Sequence, residues 1–174
     1  MKRKEYKYNR KWIIEQLKDV NPNEVFTYNI VGPLIDRPDI TLGIATVPRL
    51  LHSKFAIGAG VAFVGPGRAV IMCDAVHDEA PDNVRCFLEL HEIGHLVNGH
   101  LEKMSQNQVL ATLKRFLPWS AERKNEYEAD MYAVSKIGKK DVLYGLEYLY
   151  RMVDFPLSTK LELRSRINNV IKNG

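Results

Sequence analysis

The chain has 174 residues and a mass of 20.0 kDa, with 45% hydrophobic and 26% charged residues. These values are ordinary for one soluble globular domain, and two cysteines exclude both a disulfide-stapled scaffold and a zinc site built on four cysteines. The longest stretch without a formal charge, residues 55–67, is shorter than the roughly 20 apolar residues that a membrane-spanning helix needs.

The net charge of +4 comes from the N-terminus. Residues 1–11 hold six basic side chains and one acidic one, whereas the remaining residues hold 19 basic and 20 acidic ones. A short basic run is typical of a solvated helix start, so we do not expect a nucleic-acid partner. The alternative is that this segment contacts nucleic acid or an acidic surface. Because this segment leads into no apolar signal core, we expect a cytoplasmic protein.

The first half of the chain reads as strands, because β-branched and aromatic residues alternate with turn residues. A helix is predicted at residues 8–20, followed by strands at 25–31, 40–47, 61–64 and 69–76. The last two strands flank Gly65-Pro66-Gly67, which predicts a hairpin. These strands predict a small antiparallel or mixed sheet.

The second half reads as helices, each with its own start or stop signal. Pro81 suits a first helical turn and Gly99 a helix end, while Ser120 and Asp141 are capping residues. Thr159 and Glu162 match a capping box for the last helix. Helices are therefore predicted at residues 81–98, 106–117, 120–138, 141–152 and from 159 onward. A sheet followed by helices predicts an α+β fold, with residues 1–174 as a single domain.

Residues 91–95 form the most informative segment, His-Glu-Ile-Gly-His. On a helix, His91 and His95 lie one turn apart on the same side, so both imidazoles can bind one ion. Glu92 is too close in sequence to be the natural third ligand, but it can reach a water molecule at that ion as a general base. Gly94 costs about 1 kcal/mol in a helix interior, which predicts that another element packs closely there. The alternative is a core helix whose polar residues only hydrogen-bond to one another.

A catalytic zinc needs a third protein ligand, and the next long predicted helix offers one. Glu126 and Asp130 are again four residues apart on one helical face, with the small Ala129 and Ala133 beside them. We predict one Zn²⁺ per chain, bound by His91, His95 and Glu126. Asp130 then accepts a hydrogen bond from the other nitrogen of His91 or His95 and fixes the orientation of that ring. The alternative is a solvated acidic face.

The remaining candidates near the two motifs are weaker. His100 lies about 140° further round the helix than His95 if that helix continues, so it is predicted to be a poor ligand. Glu128 points about 200° away from Glu126 and is predicted to be a solvated carboxylate. His52 and His77 read as loop or surface residues, and Cys73 and Cys86 as free buried cysteines. Four residues are candidate oxyanion stabilisers, and the sequence does not choose among them: Tyr127, Tyr132, Arg164 and Arg166.

The two motifs together resemble those of the gluzincin zinc metallopeptidases. The stretches HEIGHLVNGH and NEYEADMYAV look like the active-site and third-ligand helices of the prenyl-protease and HtpX-like class. A predicted hairpin that leads straight into the active-site helix, in a short chain, resembles the ImmA/IrrE-type intracellular metallopeptidases, which size and layout favour. The resemblance covers about residues 61–150. It implies a zincin-like fold, the zinc ligands His91, His95 and Glu126, Glu92 as general base, and Asp130 as the residue that orients a ligand.

We therefore expect a zinc-dependent endopeptidase that acts on a protein or peptide. The strand at residues 69–76 is the candidate edge for an extended peptide, and the helix at 106–117 is a candidate border or lid of the cleft. A proteolytically silent metal-binding module that binds a partner is the second hypothesis. The intact Glu92 favours the enzyme, because a structural zinc site needs no base there. A third hypothesis is an α+β interaction domain without metal.

Overall fold

A computed structural model describes residues 27–46, 58–105, 120–152, 155 and 157–174. The chain divides into two compact units between Ala80 and Pro81. A four-stranded sheet precedes a helical half, so the predicted α+β class is confirmed. The prediction of one domain over residues 1–174 stays a prediction. Four sequence predictions lie outside the described residues: the basic segment 1–11, the helices at 8–20 and 106–117, and His52.

The first unit contains a mixed sheet in the order β1-β2-β4-β3. The outer pairs, β1 with β2 and β3 with β4, are antiparallel, whereas the central pair β2 and β4 is parallel. Strand β4 buries four of its six side chains: Ala69, Val70, Ile71 and Cys73. The strands run over Thr27–Pro33 (β1), Thr41–Thr46 (β2), Ala59–Gly65 (β3) and Arg68–Cys73 (β4).

The predicted hairpin between β3 and β4 is confirmed, and Gly67 is essential to its turn. Gly67 has φ +63°, and a Cβ there would lie 2.8 Å from the backbone oxygen of Asp39. Its own carbonyl accepts a hydrogen bond from the amide of Thr41 at 2.8 Å, at the start of β2. A side chain at position 67 would therefore disturb the junction between the hairpin and the central strand.

The sheet is followed by the short helix α1 (Ala75–Glu79), so β4 ends earlier than the predicted strand at residues 69–76. Asp74 is fully buried and causes this change of direction. Its carboxylate accepts hydrogen bonds from the amides of Val76 and Gly58, which caps the helix and ties the start of β3 to the end of β4.

The second unit holds five described helices, and most of their bounds agree with the sequence. The helix after Pro81 ends before Gly99, whose φ of +66° turns the chain sharply. The last helix begins two residues before the predicted cap at Thr159, and its predecessor begins two residues before Asp141. The helices are Asp82–Val97 (α2), His100–Ser105 (α3), Ser120–Ile137 (α4), Lys139–Met152 (α5) and Leu157–Asn173 (α6).

Helices α2 and α4 pack closely where both carry small residues. A Cβ added to Gly94 would lie 2.9 Å from the Cα and 2.9 Å from the carbonyl oxygen of Ala129. Ala129 and Ala133 are fully buried. The close approach predicted from Gly94 is therefore confirmed, and it brings one face of α2 against one face of α4.

The other two long helices complete the core of this unit. The ring of Phe87 on α2 fills the space over Gly145 of α5, and α6 buries Leu163 and Val170. Cys86, which the sequence predicts to be buried, is exposed, because its neighbour Phe87 takes the core-facing position; Cys73 in β4 is buried as predicted. Across the described segments, no helix has both the length and the apolar composition required to cross a membrane.

Replacing Gly94 with alanine tests the approach of α2 to α4. The alanine gains about 1 kcal/mol of helix propensity, but overpacking against backbone atoms costs about 1–3 kcal/mol, so we expect a net loss of about 0–2 kcal/mol in the free energy of unfolding. Urea denaturation measures this loss. Glu147→Ala, at a partly exposed position of α5, is the control and should stay within about 0.5 kcal/mol of wild type. A Gly94→Ala protein that is more stable than wild type by the full helix-propensity gain of about 1 kcal/mol would show that the two helices do not touch there.

Candidate metal centre

Helix α2 places His91 and His95 one turn apart with their rings facing the same region. Their Nε2 atoms are 3.2 Å apart, and both side chains are mostly buried. The buried apolar residues Val84 and Leu88 continue the same side of the helix toward its N-terminus. The two imidazole rings therefore present one nitrogen each to a common point.

Helix α4 brings Glu126 to that point. One carboxylate oxygen, Oε2, lies 3.1 Å from Nε2 of His91, and the other, Oε1, lies 3.3 Å from Nε2 of His95. The contact between Gly94 and Ala129 makes this possible, because neither residue has a large side chain that would hold the two helices apart. The three side chains form a group that could hold a metal ion.

The spacing of the two imidazole nitrogens suits a tetrahedral ion. Ligands bound at about 2.0–2.1 Å in tetrahedral geometry lie about 3.3 Å from one another. The two Nε2 atoms are 3.2 Å apart, and each contacts a different oxygen of Glu126, so that one ligand atom from each residue lies within 4.8 Å of the other two. Two imidazole nitrogens and one carboxylate are also a donor set that zinc uses when one position is left open for water or substrate.

Asp130 lies one turn after Glu126 and contacts the far side of His91. Its Oδ1 is 2.9 Å from Nδ1 of His91, and the side chain is fully buried. When the ring is neutral, this contact favours the proton on Nδ1, and the lone pair of Nε2 then faces the group. The structure thus places Asp130 against His91 rather than His95; its role as the residue that orients a ligand stays a prediction.

Arg166 on α6 joins the two carboxylates of α4, a role that the sequence did not assign to it. Its guanidinium is 2.9 Å from Oε2 of Glu126, and it contacts both oxygens of Asp130 at 2.6 and 2.9 Å. The sequence carried one signal of this, since Arg166 occupies a core position between Leu163 and Val170 at helical spacing. A buried arginine at such a position needs acidic partners.

The charges of this cluster depend on one another. Burial opposes the ionisation of Glu126 and Asp130, but the charge of Arg166 and the contacts with His91 together outweigh it, so the pKa of both carboxyls lies below its usual range. Burial and Arg166 disfavour a charged His91, yet the neighbouring Glu126 and Asp130 raise its pKa to about 9. Since an imidazole must be neutral to bind a metal, ion uptake by this group releases a proton from His91 at neutral pH.

Glu92 is buried next to His91 and remains close to the group. Burial raises the pKa of its carboxyl, and the charges of His91 and His95 oppose that rise. A carboxylate with a raised pKa is a stronger base than an exposed one, which is the property required of a proton acceptor near neutral pH. The pattern His-Glu on α2 therefore supplies both a ligand and a basic side chain at one place.

His100 and Glu128 differ from their predicted positions. The prediction for His100 assumed that α2 continues, but the helix ends at Val97 and Gly99 redirects the chain, so that Nδ1 of His100 lies 2.9 Å from Nδ1 of His95. Glu128 faces away from the group, as predicted, but it is only partly exposed, and its Oε2 lies 2.9 Å from Nε2 of His100. This hydrogen bond lowers the pKa of the Glu128 carboxyl.

The other sequence candidates lie elsewhere or are engaged in different contacts. Tyr127 hydrogen-bonds to Ser165 of α6 through its hydroxyl, and Arg164 is exposed. Tyr132 packs its Cβ near Gly94. His77 and Cys73 belong to the first unit. The prediction of a loop or surface position for His77 is wrong, because the residue is buried in α1, where its ring lies 3.2 Å from Asp78. Arg166 is the one oxyanion candidate that the structure places in the cluster, and there it contacts carboxylates.

Comparison of the chain with protein-family models, with curated proteins and with solved structures finds no match.

Replacing Arg166 with leucine tests whether it balances the buried carboxylates. The change removes the guanidinium from Glu126 and Asp130 and leaves His91 as their shared positive partner, and breaking a buried ion pair typically costs about 3–5 kcal/mol. Thermal or urea unfolding of the purified chain measures the loss. Arg164→Leu, on the exposed face of the same helix, is the matched control and should stay within about 0.5 kcal/mol of wild type. Equal stability of the two variants would contradict the ion pairs described for Arg166.

Proposed function

We propose that the helical unit is the catalytic part of a zinc-dependent endopeptidase of the gluzincin type, with a protein or peptide as substrate. One observation carries the proposal: His91, His95 and Glu126 offer ligand atoms that all lie within 4.8 Å of one another, and the buried Glu92 interacts electrostatically with all three. The resemblance of both motifs to those of the ImmA/IrrE-type and HtpX-like enzymes supports the same function.

The residues divide the chemical work between them. A zinc ion held by His91, His95 and Glu126 would polarise the scissile carbonyl and lower the pKa of a water molecule at the site. Glu92 accepts the proton of that water and passes it to the leaving amine. Asp130 keeps the proton of His91 on Nδ1, and Arg166 holds the carboxylates of Glu126 and Asp130 in one place.

A cytoplasmic location belongs to the same proposal. The chain has only two cysteines, which is typical of proteins from a compartment in which thiols stay reduced.

The ligand set can be tested by the metal content of purified protein. We expect near-stoichiometric zinc in protein prepared without chelator, and loss of most of it in the alanine variants of His91, His95 and Glu126. Asp130→Ala should weaken zinc binding less, by about 10–100-fold, because it removes only the partner of a ligand. Elemental analysis and chelator competition give these values. His77→Ala, in the first unit, is the control. Full metal in both His91→Ala and His95→Ala would place the site elsewhere.

The role of Glu92 can be tested with Glu92→Gln. The amide is nearly isosteric, so fold and zinc content should be retained, but it cannot accept the proton of the water, and hydrolysis should fall by about 10²–10⁴-fold. Cleavage of an unstructured protein substrate, with circular dichroism and zinc content as controls, measures this effect. Unchanged turnover in a preparation free of contaminating protease would refute the assignment. Zinc binding without cleavage of any substrate by the wild type would favour a silent metal-binding module.

A further inference from the structure

We propose that His100 and Glu128 form a hydrogen-bonded pair that holds His95 in position and determines which of its ring nitrogens carries the proton. The inference rests on the proposed zinc site, because it assigns a function to the nitrogen of His95 that faces away from the ligand group. His100 and Glu128 are positioning residues in this proposal, since they act through His95.

The geometry places the three side chains in a row. Nε2 of His95 faces Nε2 of His91 and Oε1 of Glu126, so this nitrogen belongs to the ligand group. The opposite nitrogen, Nδ1, lies 2.9 Å from Nδ1 of His100. Nε2 of His100 in turn lies 2.9 Å from Oε2 of Glu128. Every nitrogen of the two rings therefore has a partner within hydrogen-bond distance.

The direction of these hydrogen bonds follows from Glu128. A carboxylate only accepts, so the proton of a neutral His100 must be on Nε2, and Nδ1 of His100 is left as an acceptor. Nδ1 of His95 must then donate, which leaves the lone pair of its Nε2 free for a metal ion. The opposite arrangement would set two acceptors, Nε2 of His100 and Oε2 of Glu128, against each other at 2.9 Å.

Burial gives the pair its strength. His100 is 1% exposed, and a buried imidazole is stable only when both nitrogens are hydrogen-bonded. Its position depends on Gly99, whose φ of +66° ends the run of α2 and turns His100 back toward His95. The close fit between His95 and His100, with ring centres 5.1 Å apart, leaves His95 little freedom to rotate.

Each of the two histidines of the ligand group is thus held by a carboxylate of α4. Asp130 accepts directly from His91, whereas Glu128 acts on His95 through His100. Residues that hold the second nitrogen of a metal-binding histidine typically contribute about 10–100-fold to metal affinity. Glu128 is partly exposed, so water can replace it in part, and we expect its contribution at the lower end of that range.

The test measures the dissociation constant of zinc by chelator competition for five proteins: the wild type and the variants His100→Phe, His100→Asn, Glu128→Ala and Lys124→Ala. His100→Phe removes both nitrogens and should weaken zinc binding by about 10–100-fold, and Glu128→Ala by about tenfold. His100→Asn keeps an acceptor near the position of Nδ1 and should restore part of the loss. Lys124→Ala is the matched control, because it removes the other ionic partner of Glu128 and leaves its contact with His100 intact.

A second readout separates positioning from a general effect on the fold. Nitrogen-15 spectra of the zinc-loaded protein report which ring nitrogen of each histidine is protonated. We expect protonated Nδ1 in His95 and protonated Nε2 in His100 in the wild type, and loss of the Nε2 preference of His100 in Glu128→Ala. Urea denaturation of Glu128→Ala should give a free energy of unfolding close to that of Lys124→Ala, since both changes are near the surface.

The outcomes distinguish the inference from the proposed function. A wild type that binds zinc, with weaker binding and altered protonation in the His100 and Glu128 variants, supports both. Equal zinc affinity and unchanged protonation in Glu128→Ala and His100→Phe, in a wild type that binds zinc, overturn the inference and leave the proposed function standing. A wild type that binds no zinc overturns the proposed function and the inference together.

Discussion

The contact between Gly94 and Ala129 is the constraint on which the helical unit depends. An added Cβ at Gly94 would stand 2.9 Å from backbone atoms of Ala129, so only a glycine allows α2 and α4 to come this close. This approach places the carboxylate of Glu126 at 3.1 Å from His91 and 3.3 Å from His95, and a wider separation of the helices would move it away from both rings. Gly94 thus determines the distance between α2 and α4, and with it the distance between Glu126 and the two histidines. The same glycine lowers the helix propensity of α2 at this position.

The parts of the fold that could be predicted from sequence are those with local signals. Pro81 and Gly99 bracket α2, and the glycines around Pro66 indicate the hairpin, because turn and cap residues act on their immediate neighbours. The parallel pairing of β2 with β4 could not be predicted, since it joins strands separated in sequence by β3. The start of α6 was predicted two residues too late, because Thr159 can be a helical residue as well as a cap.

The candidate site also contains some residues that local sequence signals predict and others that depend on the packing of distant segments. His91, His95 and Glu126 were predicted from spacing alone, because each pair four residues apart shares a helical face. The contacts of Arg166 required knowledge of how α6 packs, and a single buried arginine in an apolar stripe is a weak signal. The position of His100 depended on the backbone conformation of Gly99, since one residue of positive φ changes the direction of everything after it.

The sequence distance between Arg166 and its partners has a consequence for the order of folding. Arg166 follows Asp130 by 36 residues, so the helices that carry the acidic side chains are synthesised before the arginine that pairs with them. Until α6 docks, a compact α2–α4 pair would bury two carboxylates with only His91 as a positive partner. We therefore expect the contact between α2 and α4 to close only when α6 docks and supplies its guanidinium.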